Sequence, residues 1–192
     1  MKAVIFNGAP TDHEVLEQAD HLLTKELGRR GWEVLSVPLR ELRLSGCKEC
    51  LKCWLHTPGL CHIRDDARSL SRYLIENELV ALLTPVSFGG YGSLLKTTLD
   101  RLARPHLLPF LKARWGEVRN SPRYERRFQL LALGGLPKED PPTEDIFQTV
   151  VRRNTLHLNG SHFATDFVYD YMTTKQLDQR VKNLVEKSVA VV

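Results

Sequence analysis

The chain has 192 residues, of which 42% are hydrophobic and 26% charged, with a formal net charge of +4. That length lets one domain bury a substantial core without covalent staples, and so mild a charge makes no demand for a polyanionic partner. No apolar run reaches membrane-spanning length, and Met1-Lys-Ala-Val-Ile-Phe6 enters a strand pattern directly, without a signal-peptide pattern. The expectation is a cytoplasmic protein, in which four clustered cysteines point to metal before disulfides.

In chain order, Lys2 to Asn7 reads as a first strand, passing through Gly8-Ala9-Pro10 into a helix from about Thr11 to Gly28, with Gly28 or Gly31 ending it. Thr11-x-x-Glu14 matches a capping box, with Asp12 and Glu14 in the first turn. Trp32 to Val37 is a second strand. Leu39 to His62 is a long connection that holds all four cysteines, and Asp65 and Asp66 suit the first turn of a helix running to about Ile75, where the dipole favours negative charge. Leu79 to Leu83 is the continuous apolar run of a strand buried on both faces. Thr84-Pro85 is expected to stop its ladder, because proline has no N–H to give. Gly89, Gly90 and Gly92 then permit a loop that lies close against a flat ligand, and Ser93 is placed to cap a helix carrying Leu94, Leu95, Leu99 and Leu102 at helical spacing.

Residues 104–126 read as an irregular insertion with Pro105, Pro109 and Pro122. Its basic residues (Arg104, Lys112, Arg114, Arg119, Arg123 and Arg126) fit a solvated or intersubunit face better than a nucleic-acid site, since no nucleic-acid motif accompanies them. Phe128 to Leu133 is a fourth strand closed by Gly134-Gly135. A polar loop leads to a helix over about Glu144 to Leu156, then His162 to Tyr169 forms a fifth strand and Lys175 to Lys187 a terminal helix. Strands alternating with helices imply a single α/β domain with a doubly wound parallel sheet.

The chemistry-bearing motif is Cys47-x2-Cys50-x2-Cys53-x7-Cys61. A cubane cluster needs four thiolates arriving from different directions; three cysteines at steps of three wrap one side of it, and a fourth returns from a longer arc, for which Thr57-Pro58-Gly59 supplies turn chemistry. Structural zinc more often uses two separated C-x-x-C knuckles. A [4Fe–4S] cluster is thus expected on Cys47, Cys50, Cys53 and Cys61, with free thiols and zinc as the alternatives. Trp54 shields this segment. His62 adjoins Cys61, close enough to tune or replace a ligand, but reads first as a surface histidine.

Pro85-Val-Ser-Phe-Gly89 followed by Leu95-Lys-Thr-Thr-Leu-Asp-Arg101 resembles the P-x-[YR]-[WF]-G…K-x-x-x-D-R signature of flavodoxin-like, NAD(P)H-dependent FMN reductases. The cysteine run followed by Asp65-Asp66 makes the chain resemble the iron–sulfur flavoproteins within that superfamily. The resemblance implies a flavodoxin-like, five-stranded parallel sheet in the order 2-1-3-4-5, with FMN held by three loops at the switch point. Gly8, Ala9, Pro10 and Thr11 would take the phosphate at a helix N-terminus. Pro85, Val86, Ser87, Phe88, Gly89 and Gly90 would meet the isoalloxazine, and Gly134 and Gly135 would approach the ring. The phosphate loop departs from the family form: Ala9 stands for serine, Thr11 for arginine, and Asp12 and Glu14 bring negative charge to the anion's end. Either His13 or a neighbouring basic residue compensates, or phosphate binding is weak. Ser87 replaces the usual Tyr or Arg.

Lys96 and Asp100-Arg101 read as serving helix and subunit packing, and no side chain is required as nucleophile or acid–base catalyst. The implied function is an oxidoreductase passing electrons between a [4Fe–4S] cluster, FMN and a soluble carrier such as ferredoxin or a small oxidant, with NAD(P)H as a donor and a homodimer or homotetramer as the assembly. Two alternatives stay open: an NAD(P)H-dependent FMN or quinone reductase with an empty cysteine loop, and a flavodoxin-fold binding protein that has lost FMN.

Overall fold

Period-two apolar patterning decides the architecture. In the computed structural model, which describes residues 1–114 and 117–189, five strands form a parallel sheet: β1 (Lys2–Asn7), β2 (Glu33–Pro38), β3 (Leu79–Ser87), β7 (Gln129–Leu136) and β8 (His162–Tyr169), in the order β2-β1-β3-β7-β8. Counting only these strands, the order is the expected 2-1-3-4-5. Alternate residues point to opposite faces. Val4, Phe6, Val80, Leu82, Leu130 and Ala132 enter one apolar layer, while Ala3, Ile5, Leu79, Ala81, Leu83, Leu131 and Leu133 enter the other. Helices α1 (Glu14–Arg29) and α6 (Thr174–Val189) cover the second layer; α3 (Ala67–Glu76), α4 (Ser93–His106) and α5 (Pro141–His157) cover the first.

Several boundaries differ from expectation. The β3 ladder does not stop at Thr84-Pro85: Thr84 pairs with Gly134 and Pro85 with Gly135, and the strand runs on to Ser87. In a parallel ladder a residue's N–H and C=O face the same side, and the Pro85 carbonyl accepts from the Gly92 amide (3.0 Å), so the proline's missing N–H leaves no bond to β7 unmade. Gly134 and Gly135 accordingly lie within β7 rather than closing it. Helix α1 begins at Glu14, with His13 as N-cap and no side-chain cap, so the Thr11–Glu14 capping box does not form. Ser93 is the first helical residue of α4 and Gly92 its N-cap, again without a side-chain bond. By contrast α5 starts at Pro141, earlier than expected, because the Asp140 carboxylate accepts from the Thr143 amide (3.3 Å) and proline suits the first turn.

The 104–126 insertion is not irregular. After α4 ends at His106, β5 (Leu107–Arg114) and β6 (Glu117–Pro122) form an antiparallel hairpin; residues 115 and 116, and 190–192 at the end of the chain, lie outside the described residues. Its arginines serve helix ends: Arg119 donates to the Leu156 carbonyl at the end of α5, and Arg123 to the Pro105 carbonyl at the end of α4 (2.9 Å). No helix among the described residues is long and apolar enough to cross a membrane.

Candidate functional site

Three segments meet at the C-terminal ends of β1, β3 and β7. The first is the turn from β1 into α1. Buried Asn7 sets its shape: the side-chain oxygen accepts from the Ala9 amide (2.9 Å), and Nδ2 donates to Asp20 (2.8 Å) and Glu17 (3.1 Å). Arg40 anchors Glu17 through Nη1 (2.6 Å) and Nη2 (3.2 Å), and the Ser36 hydroxyl donates to Asp20 (2.7 Å). The Gly8 amide is spent on the Leu83 carbonyl (2.8 Å). The amides of the first turn of α1, Glu14, Val15 and Leu16, have no acceptor within the helix and are the donors available to an anion. Beside them lies a cavity of about 430 Å³ lined by Pro10, Asp12, His13, Glu14, Val15 and Asp170. The helix end suits phosphate; the three carboxylates oppose it. Asp170, which follows β8, was invisible to sequence reasoning because only the fold brings it there.

The second segment is not an open loop but a tight hairpin. Beyond β3 the chain turns through Phe88 (φ +50°) and Gly89 (φ +73°), then returns as β4 (Gly90–Tyr91), pairing Val86 with Tyr91 and Ser87 with Gly90. Two successive positive φ values are the signature of the two-residue turn whose twist matches paired strands. Glycine adopts that conformation freely; phenylalanine does so at a cost of about 1–2 kcal/mol. Phe88 is fully exposed (105%), so no packing within the chain offsets that strain. Gly89 faces Ile146 of α5, where a Cβ would stand 2.5 Å from the Ile146 side chain.

The third segment is the end of β7. A Cβ on Gly134 would stand 2.7 Å from Val86 and 3.0 Å from Phe167, so the sheet closes there only over glycine. The His13 ring lies over Gly135, with Nε2 2.9 Å from where a Cβ would stand. His13 therefore bridges the first and third segments, a role its position in the sequence did not announce.

The cysteine segment packs on α4. Cys47, Cys50, Cys53 and Cys61 all line one small cavity, together with Leu51, His62, Ile63 and Arg104 among others. None of the four is joined in a disulfide. Among the described residues, no group of three or more His, Cys, Asp or Glu side chains is arranged to hold a metal ion. Burial pushes the Cys53 thiol up, and the neighbouring Cys61 adds to the rise. Cys50 Sγ lies 3.4 Å from His62 Nδ1. A short helix, α2 (Lys52–Leu55), carries Trp54, whose indole donates to the Arg104 carbonyl (2.7 Å) under the Arg104 guanidinium, 4.9 Å from the ring centre.

Asp65 and Asp66 do not serve the α3 dipole as expected; they close the cysteine segment on itself. The Asp65 carboxylate accepts from the Ser45 amide (2.9 Å) and Asp66 from the Arg43 amide (2.8 Å). Arg101 is buried within the chain rather than held for subunit packing: Nη1 and Nη2 each donate to Asp65 at 2.8 Å, and Nη1 also to the Ser45 carbonyl at 2.6 Å. Burial works against the Asp65 carboxylate, but the Arg101 fork and the Ser45 amide outweigh it and hold its pKa below the usual range. Lys96 and Asp100 form an exposed pair one turn apart.

Known proteins share the family and the fold of this chain. The family model described as NADPH-dependent FMN reductase matches residues 1–122. An iron–sulfur flavoprotein from Archaeoglobus fulgidus is 31% identical over 116 residues, covering 60% of this chain and 52% of the relative. The chain spans about half the length of the curated relatives it matches. Among solved structures, an NAD(P)H:quinone oxidoreductase from Methanothermobacter marburgensis superposes with a TM-score of 0.67 at 12% identity, covering 95% of this chain and 96% of that one. An azoreductase from Bacillus anthracis gives 0.62 at 12% identity, covering 100% and 98%. At such identities the structural likeness shows the fold alone. With the model matching residues 1–122 of 192 and a sheet of flavodoxin-like order behind it, the chain belongs to the NADPH-dependent FMN reductase family.

Proposed function

We propose that the protein is a flavin-dependent oxidoreductase that binds FMN at the ends of β1, β3 and β7 and carries a [4Fe–4S] cluster on Cys47, Cys50, Cys53 and Cys61. When bound, the flavin converts between two-electron and one-electron transfer and the cluster supplies a one-electron port. The Glu14–Leu16 amides and the turn at Thr11 would hold the phosphate; the expected Gly8 and Ala9 amides are engaged by Leu83 and Asn7, and Pro10 has no N–H to give. The hairpin from Pro85 to Gly90 would hold the ring, with the exposed Phe88 as its apolar contact, and Gly134 and Gly135 would form the floor. Asn7, Glu17 and Arg40 keep the phosphate turn in shape, and α4 carries both the hairpin and the cysteine segment. Eight residues separate Ser93 from Arg101, about 12 Å of helix, so the two sites are near neighbours on one rigid rod.

The observation that supports the cluster assignment is the convergence of all four cysteines on one cavity. The electron donor is NAD(P)H and the acceptor a quinone or a ferredoxin-like carrier, in keeping with the family description and with the quinone oxidoreductase among the structural neighbours. The protein works as a homodimer or homotetramer in the cytoplasm.

The test is iron, sulfide and flavin analysis after anaerobic reconstitution of the wild type and Cys50→Ser. The wild type should retain iron and sulfide, and the variant should lose most of both while binding FMN unchanged. Unchanged iron in the variant counts against the assignment. A second reading, a binding protein that no longer takes FMN, is favoured by the three carboxylates at the phosphate end, Asp12, Glu14 and Asp170. It predicts colourless protein that leaves the fluorescence of added FMN unquenched.

A further inference from the structure

Arg101 sits in the seam between α4 and the cysteine segment with its side chain 1% exposed. A guanidinium has five N–H donors. Three of its hydrogen bonds are accounted for, two from Nη1 and Nη2 to Asp65 and one from Nη1 to the Ser45 carbonyl, but the buried Nε–H has no partner. An unpaired buried donor costs about 1–3 kcal/mol, and native structures hold few. A sulfur brought beside it when the segment is loaded would supply that acceptor. Besides Asp65, the group beside this guanidinium is Cys61: burial lowers the Arg101 pKa, yet Asp65 and Cys61 together raise it above its ordinary value.

We propose that Arg101 is a positioning residue for the sulfur site, its Nε–H donating to the Cys61 sulfur or to an adjacent cluster sulfide while its two terminal nitrogens hold the cysteine segment closed. The inference rests on the cluster reading above and adds a partner that the cysteine motif does not contain. Hydrogen bonds to cluster sulfurs disperse the charge added on reduction, so this N–H favours the reduced state and raises the reduction potential. Arg101→Lys keeps the positive charge but removes Nε and the fork, which separates the hydrogen bond from the charge.

The experiment compares anaerobically reconstituted wild type, Arg101→Lys and, as a distant control, Arg72→Lys, by iron retention against a chelator and by redox titration followed by electron paramagnetic resonance. Arg101→Lys should show a lower potential than the wild type and lose iron at least severalfold faster, with FMN affinity unchanged; Arg72→Lys should match the wild type. Should Arg101→Lys fail to fold, protein labelled with ¹⁵N-arginine decides: the reduced cluster should show a weak ¹⁵N coupling that persists in Arg104→Lys. A potential and iron retention equal to wild type in Arg101→Lys, or no arginine coupling in the labelled protein, overturns the inference while leaving the cluster assignment standing. A wild type that takes up no iron and sulfide removes the cluster assignment and the inference with it.

Discussion

Phe88 carries the sharpest conflict between local preference and observed structure. Its left-handed backbone and complete exposure cost free energy that nothing within the chain offsets. Phe88→Gly should therefore raise stability by about 0.5–1 kcal/mol in urea unfolding, since glycine meets the turn without strain. Under the flavin reading the same change should weaken FMN binding severalfold by removing an apolar contact. A variant that loses stability would show that the side chain has a packing partner. At the other end of the candidate site, Asp12 and Glu14 line the cavity beside the first turn of α1, where the FMN reading puts the phosphate. Replacing both by their amides should tighten FMN about tenfold in fluorescence quenching, with riboflavin, which lacks the phosphate, unaffected. The acidic charge was legible in the sequence as a departure from the family loop. The third carboxylate, Asp170, was not, because its place there depends on β8 ending beside the β1 turn.

Among the elements, the strands were legible where apolar runs were long and unbroken, as in Leu79–Leu83, and the errors fall where a residue's local preference met a tertiary constraint. Pro85 and Gly134-Gly135 were read as strand ends, yet each continues the ladder because the neighbouring strand supplies the pairing. Gly134 is where the sheet tolerates no side chain: Gly134→Ala would bring a methyl to 2.7 Å from Val86, and thermal unfolding should show a loss of about 1–3 kcal/mol. A variant as stable as the wild type would mean that Val86 and Phe167 can move apart. Asp65 and Asp66 were visible as a pair but misread as dipole partners. Their real contacts, Ser45, Arg43 and Arg101, lie 20 to 36 residues away in sequence, and no local pattern reports such distances. Asp65→Asn leaves the buried Arg101 without its counter-charge and should cost about 3 kcal/mol, measured by urea unfolding.

For the whole molecule, His106 and Asp65 are among the groups that set the response to acid, and His157, also lowered by burial, acts in the same direction as His106. Burial pushes the His106 imidazole down to about 4, although its hydrogen bond to the Ser71 carbonyl (3.1 Å) works the other way. An unfolded histidine titrates near 6.5, so the unfolded chain takes the proton first. Stability is then complete above about pH 6.5 and falls as the pH drops toward 4, by on the order of 3 kcal/mol. His106→Gln should flatten that slope, which unfolding free energies measured between pH 7 and pH 4 would show. Asp65 acts at lower pH: its folded pKa is depressed, so its contribution is present above the unfolded value near 3.9 and is lost as the pH falls through the folded one. The layout of the domain, a doubly wound sheet in the order β2-β1-β3-β7-β8, followed from the alternation of strands and helices together with one resemblance. The joining of both sites through α4 did not, since it rests on contacts of Arg101 and Trp54 that only the folded chain brings together. The most direct measurement of the account is an anaerobic visible spectrum of reconstituted protein during stepwise reduction by NADPH. Flavin bands should bleach together with a broad iron–sulfur absorbance, at about four irons per chain; protein that shows neither absorbance, or whose spectrum NADPH leaves unchanged, would contradict it.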